Sequence, residues 1–476
     1  MVTPLSFKLD RFAKTSLTDQ ICKGISAAIE SGVLVPGARL PSWLDLAAQL
    51  GVARGTVRAA YEKLSDAQLV VASRAGGTRV ADRPRIAMQL DKAPDPGSFF
   101  ETYLELTAGP AIFQMGVPAQ ETLPAKLFTR ARNYGVLAKS SRSTLYPDPR
   151  GELELRREIA AYLAISRGIV CSPSQIVITS GFSGGLGLTL GVLGLEGQKA
   201  WVENPGFPFT RYGLGLARLQ LAPIPVDADG IDVDYGMQYE PDAALVVVTP
   251  GQQAPLGVTL SLERRLRLLQ WAAQERVWII EDDYLSELQL KARAAPALAS
   301  LDRGGRVIHI GSFSKTISPA LRLGFLVVPP ALASRFAEVT ACLAPAPWPS
   351  IQLAMARFMG DGQYMRHLRR TKRFYLARRE ALLEHLQRRG METVTPGLAV
   401  LLRLPDGASD VSIARDMFQF GLAPVPLSPW YAVPASARSG LLLGVATAPE
   451  RHLVRSCDQL QAVIERHIGH QSLTSG

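Results

Sequence analysis

Six short runs rich in β-branched and aliphatic residues recur between Gln175 and Pro329: "QIVITS", "QKAWVE", "AALVVVTP", "RVWIIEDD", "RVIHIGS" and "LRLGFLVVP". Each is nearly continuous in apolar character rather than alternating, which marks strands covered on both faces. Helical stretches such as "SLERRLRLLQWAAQERV" fall between several of them. That alternation predicts an α/β fold, a largely parallel sheet clad in helices. From about Met365 onward, long amphipathic helices and a few strands predict a smaller C-terminal lobe.

The first eighty residues follow another rule. "SLTDQICKGISAAIESG" opens on Ser16 as an N-cap, with Asp19 three positions on, and lines up Ile21, Ile25, Ala28 and Ile29 on one stripe. Ser42 and Asp45 repeat the cap before Leu46, Ala47 and Leu50; Gly51 breaks the run, and a third helix starts near Arg54. Two short helices about a Gly turn read as helix-turn-helix. "LVVASRAGGTRVA" then reads as a hairpin around Gly76-Gly77. The sum is a winged helix. In such a unit the N-terminal residues of the third helix enter the major groove, so Arg54, Thr56 and Arg58 are the expected DNA contacts, with Ser42 near the second helix and Thr78 and Arg79 on the wing.

Charge agrees with that partner. Residues 1–85 hold 12 Lys+Arg against 7 Asp+Glu, half of the chain's formal net charge of +10. The four cysteines, Cys22, Cys171, Cys342 and Cys457, are far apart and fit neither a zinc site nor a disulfide framework, which points to a reducing cytoplasm and no metal. The start "MVTPLSFKLDRF" has no apolar h-region, and "LGLTLGVLGL" is well short of a span of ~20 residues, so neither export nor membrane insertion is expected. Between the halves, "DRPRIAMQLDKAPDPGSFF" has no sustained period. The organisation expected is a winged-helix domain at 1–81, a linker at 82–110 and a larger domain at 111–476.

Ligands of parallel sheets sit beyond the carboxyl ends of the strands. There "VITSGFSGG" places Ser180, Gly181 and Phe182 at a strand-to-helix junction, where free N–H groups and the helix dipole favour a phosphate. "WIIEDDY" ends a strand with Asp282 and, two residues on, Tyr284. "HIGSFSKTISPALRLGF" puts Ser312, Ser314, Lys315 and Arg322 between two strands. A Schiff-base lysine, an anion anchor of Arg and hydroxyls, a carboxylate for a pyridine nitrogen and a phenol for a 3-oxygen together describe pyridoxal 5′-phosphate.

These residues carry two resemblances. "VPGARLPSWLDLAAQLGVARGTVRAAYEKLSDAQLVVASRAGGTRVA" resembles the DNA-binding domain of GntR-type bacterial regulators, although Leu44, Ala53 and Gly55 depart from its common pattern. Residues 113–468 resemble fold-type I aminotransferases, and the order of the two resembles the MocR/GabR family of transcription regulators. The resemblance implies Lys315 as the Schiff-base lysine, Asp282 on the ring nitrogen, Tyr284 on the 3-oxygen with Gln253 near it, and Arg322, Ser312, Ser314 and the backbone after Ser180 on the phosphate. It also implies Phe207 in "ENPGFPF" stacked on the ring, and Tyr146 in "YPDPRGELELR" reaching the phosphate of a neighbouring subunit in a head-to-tail homodimer. Gln252 stands where the family often has His. Leu442 stands where aminotransferases keep the arginine that clamps a substrate carboxylate, with Arg438 nearby as a possible replacement. The function expected is a regulator of operator DNA that senses a small amine, or pyridoxal phosphate itself, without efficient turnover. The alternatives are a working aminotransferase with a DNA-binding extension and a cofactor-free dimerisation scaffold.

Overall fold

The computed structural model describes residues 9–13, 15–73, 77–81, 111–140, 145–290 and 295–474. The chain divides into two compact units, residues 1–96 and 97–476. The expected linker, 82–110, and the wing tip at Gly76 lie outside the described residues.

The first unit has three helices, α1 (Leu17–Glu30), α2 (Trp43–Leu50) and α3 (Arg54–Asp66), followed by the antiparallel strands β1 (Val70–Ser73) and β2 (Gly77–Val80). The caps work as the sequence suggests. Ser16 and Ser42 accept from the backbone N–H of Asp19 and Asp45, which satisfies N–H groups that a helix start leaves open. Gly51 ends α2 in the left-handed conformation, at φ 64°. Ile21, Ile25, Leu46, Val57, Ala60, Leu64, Val70 and Val80 form its core, all at most 4% exposed.

The second unit is built on eight strands in the order β3-β10-β9-β8-β7-β4-β5-β6. These are β3 (Ile176–Thr179), β4 (Lys199–Asn204), β5 (Gln220–Asp227), β6 (Gly230–Ile231), β7 (Ala243–Val248), β8 (Trp278–Asp283), β9 (Val307–Ser312) and β10 (Gly324–Val327). The centre is parallel, while β10 runs antiparallel to both β3 and β9, and β6 antiparallel to β5. All six expected strands are present. Strand β5 was not expected, because "QLAPIPVD" carries two prolines and lies toward the edge, where a missing N–H is tolerated. One face of the sheet is packed with Val177, Leu186, Ile280, Ile308 and Leu326, the other with Trp201, Val246, Ile279 and Trp271. The C-terminal lobe has a second sheet in the order β11-β12-β14-β13, from β11 (Thr393–Val394), β12 (Ala399–Arg403), β13 (Val425–Pro426) and β14 (Gly440–Gly444).

Three further helices bear on the site: α4 (Gly181–Leu193), α5 (Pro208–Leu216) and the 25-residue α6 (Gln363–Gln387).

Candidate functional site

Strand β8 presents its side chains alternately to opposite faces, and this decides what each of its acids does. Glu281 accepts from the N–H of Leu298 at 2.6 Å and of Ala299 at 2.9 Å, and pairs with His309 Nδ1 at 3.0 Å. Asp283 binds the buried Arg167 at 2.6 Å. These two clamp the strand from behind. Asp282, between them, turns to the other side and makes no side-chain hydrogen bond or ion pair among the described residues. Burial, with Asp283 and Glu203 close by, pushes its pKa well above the usual carboxylate range, against the pull of Lys315. A buried acid of this kind is matched to an incoming cation.

Lys315 leaves the turn after β9, and its Nζ donates to Gly116 O at 2.7 Å. Burial lowers its pKa to about 8, with Asp282 acting in the opposite direction. Gly116 is required there: its φ is +82°, and a Cβ on it would lie 2.8 Å from the lysine nitrogen. Tyr284 is hydrogen-bonded to Gln252, and burial raises its pKa. Gln253 turns away from both. Its amide donates to Pro205 O and Ala254 O at 2.7 Å and, more weakly, to Glu203 at 3.3 Å, while its oxygen accepts from Leu256 N–H.

The expected anion corner is assembled across three strands. Gly324 on β10 is paired with Ser312 on one side and Thr179 on the other. A Cβ on Gly324 would come within 3.0 Å of Gly181 Cα, so only glycine lets the strand approach the start of α4. Gly181 itself has φ +78° and open space where a side chain would project. Ser180 is exposed at the N-cap, and Phe182 meets Phe207 edge-on with centroids 6.5 Å apart. Ser312 Oγ donates to Ser314 Oγ at 3.0 Å. Arg322 is exposed and held at φ 47°, a left-handed conformation that a non-glycine residue adopts at a cost of ~1–3 kcal/mol and that clusters at functional sites.

Phe207, Glu203, Arg211 and Asp282 line one small cavity of about 20 Å³. Glu203 and Arg211 were not picked out from sequence. Glu203 is a buried acid raised by burial to about 7, holding Thr249 N–H at 3.0 Å and Thr249 Oγ1 at 2.6 Å. Arg211 donates only to carbonyls, those of Gly206, Pro429 and Trp430, and pairs with no acid among the described residues. Its only sequence signal was its place one turn into the helix after "ENPGFPF". Leu442 is fully buried in β14, opposite Leu401 and Val425, in an apolar cluster with Ala254, Leu427 and Trp430 that Phe207 and Tyr284 border. Arg438 is exposed. Tyr146 is fully exposed.

In the first unit, Arg54 opens α3 and is exposed, Thr56 is half-buried, and Arg58 pairs with Glu62 at 2.9 Å in an exposed (i, i+4) contact. Ser42 spends its hydroxyl on Asp45. Thr78 and Arg79 lie on β2, with Arg79 donating to Gly37 O at 3.0 Å. Among the described residues no helix is long and apolar enough to cross a membrane, and no cluster of His, Cys, Asp and Glu is placed to hold a metal.

A winged helix followed by an aminotransferase-type fold with a lysine, a buried acid and a glycine corner at its strand ends defines a two-domain, DNA-binding class of protein. Comparison with known proteins gives the family. A model for aminotransferases of class I and II matches residues 113–441, and one for bacterial regulatory proteins of the gntR family matches residues 17–80. The chain is 33% identical over 458 residues to the probable rhizopine catabolism regulatory protein MocR of Rhizobium meliloti, covering 92% of each. It is 33% identical over 416 residues to the transcriptional regulator TauR of Rhodobacter capsulatus, covering 82% of this chain and 84% of that one. A solved archaeal alanine:glyoxylate aminotransferase superposes with a TM-score of 0.68 at 26% identity, over 77% of this chain and 94% of that one. The chain belongs to the MocR-type transcription regulators, which join a GntR DNA-binding domain to a class I and II aminotransferase domain. Pyridoxal 5′-phosphate is the cofactor of that domain class, and the unpaired buried Asp282, the low-pKa Lys315 and the open glycine corner at Gly181 fit it.

Proposed function

We propose that the second domain holds pyridoxal phosphate on Lys315 and senses a small amine, or the cofactor itself, so as to change how a cytoplasmic homodimer of this chain engages operator DNA. Bound there, the cofactor supplies an electrophilic carbon that an amine can attack in place of Lys315. The protein's own groups do the rest. Lys315, with a pKa near 8, gives up and regains a proton at Nζ around neutral pH. Asp282 holds the ring nitrogen's proton by charge, and Tyr284, backed by Gln252, donates to the 3-oxygen. Arg322, Ser312, Ser314, Ser180 and the N–H groups of Gly181 and Phe182 receive the phosphate, and Phe207 covers the ring. Gln253 acts at one remove, bracing Glu203 and the loop that carries Gln252. The full exposure of Tyr146 suits a contact with a partner's phosphate in a head-to-tail dimer. On the DNA side, Arg54, Thr56 and Arg58 with Ser42, Thr78 and Arg79 form the reading surface.

The observation that carries a sensing role is Leu442: Lys315, Asp282 and Tyr284 suit the cofactor, yet the residue at the place of the carboxylate clamp is fully buried and apolar. Without a planar fork to orient a carboxylate, transamination of common amino acids loses its main positioning contact. A working aminotransferase is the second reading, and Arg211, which lines the small cavity beside Asp282 and pairs with no acid among the described residues, favours it. The test is a pair of assays on the full chain. Added pyridoxal phosphate should give a visible absorption band that amines perturb together with DNA affinity, while turnover with α-amino acids and 2-oxoglutarate stays far below the ~10 s⁻¹ typical of enzymes. Turnover at that level would establish the enzyme instead.

A further inference from the structure

Lys315 projects from a tight turn, and one helix outside the site fixes that turn. Phe313 O accepts from Ile317 N at 2.9 Å and Ser318 N at 3.3 Å, which closes the chain around the lysine. The residue after it, Thr316, is 1% exposed and is gripped twice from α6. Tyr364 donates its hydroxyl to Thr316 Oγ1 at 3.2 Å, and His367 Nε2 meets Thr316 O at 2.6 Å. Because a carbonyl only accepts, the imidazole is the donor, and burial lowers its pKa so that the ring is neutral. The two side chains are three residues apart and therefore share a face of the helix. The Tyr364 ring also meets Phe313 edge-on at 5.8 Å and Tyr162 at 5.4 Å. The hydroxyl and the carbonyl of Thr316 are thus held from α6, immediately beside the side chain that reaches Gly116 O at 2.7 Å.

The same helix grips the other end of that contact. Tyr375 accepts from Ala119 N–H at 2.8 Å, and Arg378 binds Glu121 at 2.6 Å, so the segment carrying Gly116 is tied to the same helix as the lysine turn. We infer that Tyr364 and His367 are positioning residues for Lys315: through Thr316 they set where the lysine nitrogen stands relative to Gly116 and Asp282, and so how readily it captures the cofactor's aldehyde. The inference rests on the reading that Lys315 carries pyridoxal phosphate. Its physical basis is that displacement of a reacting group by a fraction of an ångström costs capture directly, while fold stability responds only to the lost hydrogen bond.

The test titrates pyridoxal phosphate into full-length Tyr364→Phe, His367→Leu and His367→Gln, reading the visible band per mole of folded protein, with the folded fraction from circular dichroism. Tyr364→Phe and His367→Leu should each weaken cofactor capture about tenfold and alter the band, while His367→Gln, whose amide can still donate to Thr316 O, should recover most of the loss. Tyr364→Phe keeps the ring packing, so it carries the test if His367→Leu does not fold. If the parent forms no band, the cofactor reading falls and this inference with it. If the parent binds and Tyr364→Phe and His367→Leu capture cofactor as tightly as the parent, with only their melting temperatures lowered, the positioning role alone is overturned.

Discussion

Replacing Lys315 by Met should make the cofactor-free protein more stable at neutral pH, even though it removes a hydrogen bond. Burial brings the lysine from its ordinary value to about 8, so below that pH the fold must hold a proton that the unfolded chain holds more easily. At about 1.4 kcal/mol per pH decade, the gap corresponds to roughly 3 kcal/mol, and the side chain's partial exposure reduces it to about 2. Against this stands the bond to Gly116 O, worth about 1 kcal/mol. The sign is fixed by proton counts. Between pH 8 and the ordinary lysine pKa the unfolded chain binds more protons than the folded one, so the parent gains stability as pH rises through this window. Lys315→Met should therefore be about 1 kcal/mol more stable at pH 7 and about 0.5 kcal/mol less stable by pH 10. Urea denaturation of both cofactor-free proteins at pH 7, 8.5 and 10, followed by tryptophan fluorescence, measures the difference. A difference that does not change with pH would show that the amine is not desolvated, and the chemistry assigned to it would lose its basis.

Three other outcomes are expected. Lys315→Ala should leave operator binding largely intact but abolish the visible band and the response of DNA binding to amine; a variant that responds like the parent would rule out covalent sensing. Arg54→Ala should weaken DNA binding and reduce the slope of log affinity against log salt by about one, as measured by fluorescence anisotropy, if Arg54 contacts a phosphate. Arg167→Leu should destabilise the second unit by about 3–5 kcal/mol in calorimetry, because it leaves Asp283 buried without its cation. A loss below about 1 kcal/mol would mean that water reaches the acid.

The order of domains, the caps at Ser16 and Ser42 and the six apolar strands were legible in the sequence because each depends on neighbours within a few residues. Lys315, Asp282 and Tyr284 could be singled out as candidates, since residues at strand ends suggest a site by type and spacing. Strand β5 escaped because its two prolines argue locally against a strand, and only its pairing with β4 overrides them. The different partners of Gln252 and Gln253 were also hidden: adjacent residues of one kind are separated only by which of them meets Glu203 and which meets Tyr284. Arg211 looks like any helix arginine until the cavity it lines, and its pairing with carbonyls rather than an acid among the described residues, are seen. Gly116 is one glycine among 41, and nothing local marks it as the acceptor for a lysine 199 residues away. What the sequence determined by itself was the order of domains, most of their elements and the residue types at the strand ends, because hydrophobic period, caps and residue type act at short range. Which side chains face one another, which acid is left unpaired and which lysine is drawn out of water were decided only by the tertiary structure, because burial and charge act through space between segments that the chain keeps far apart.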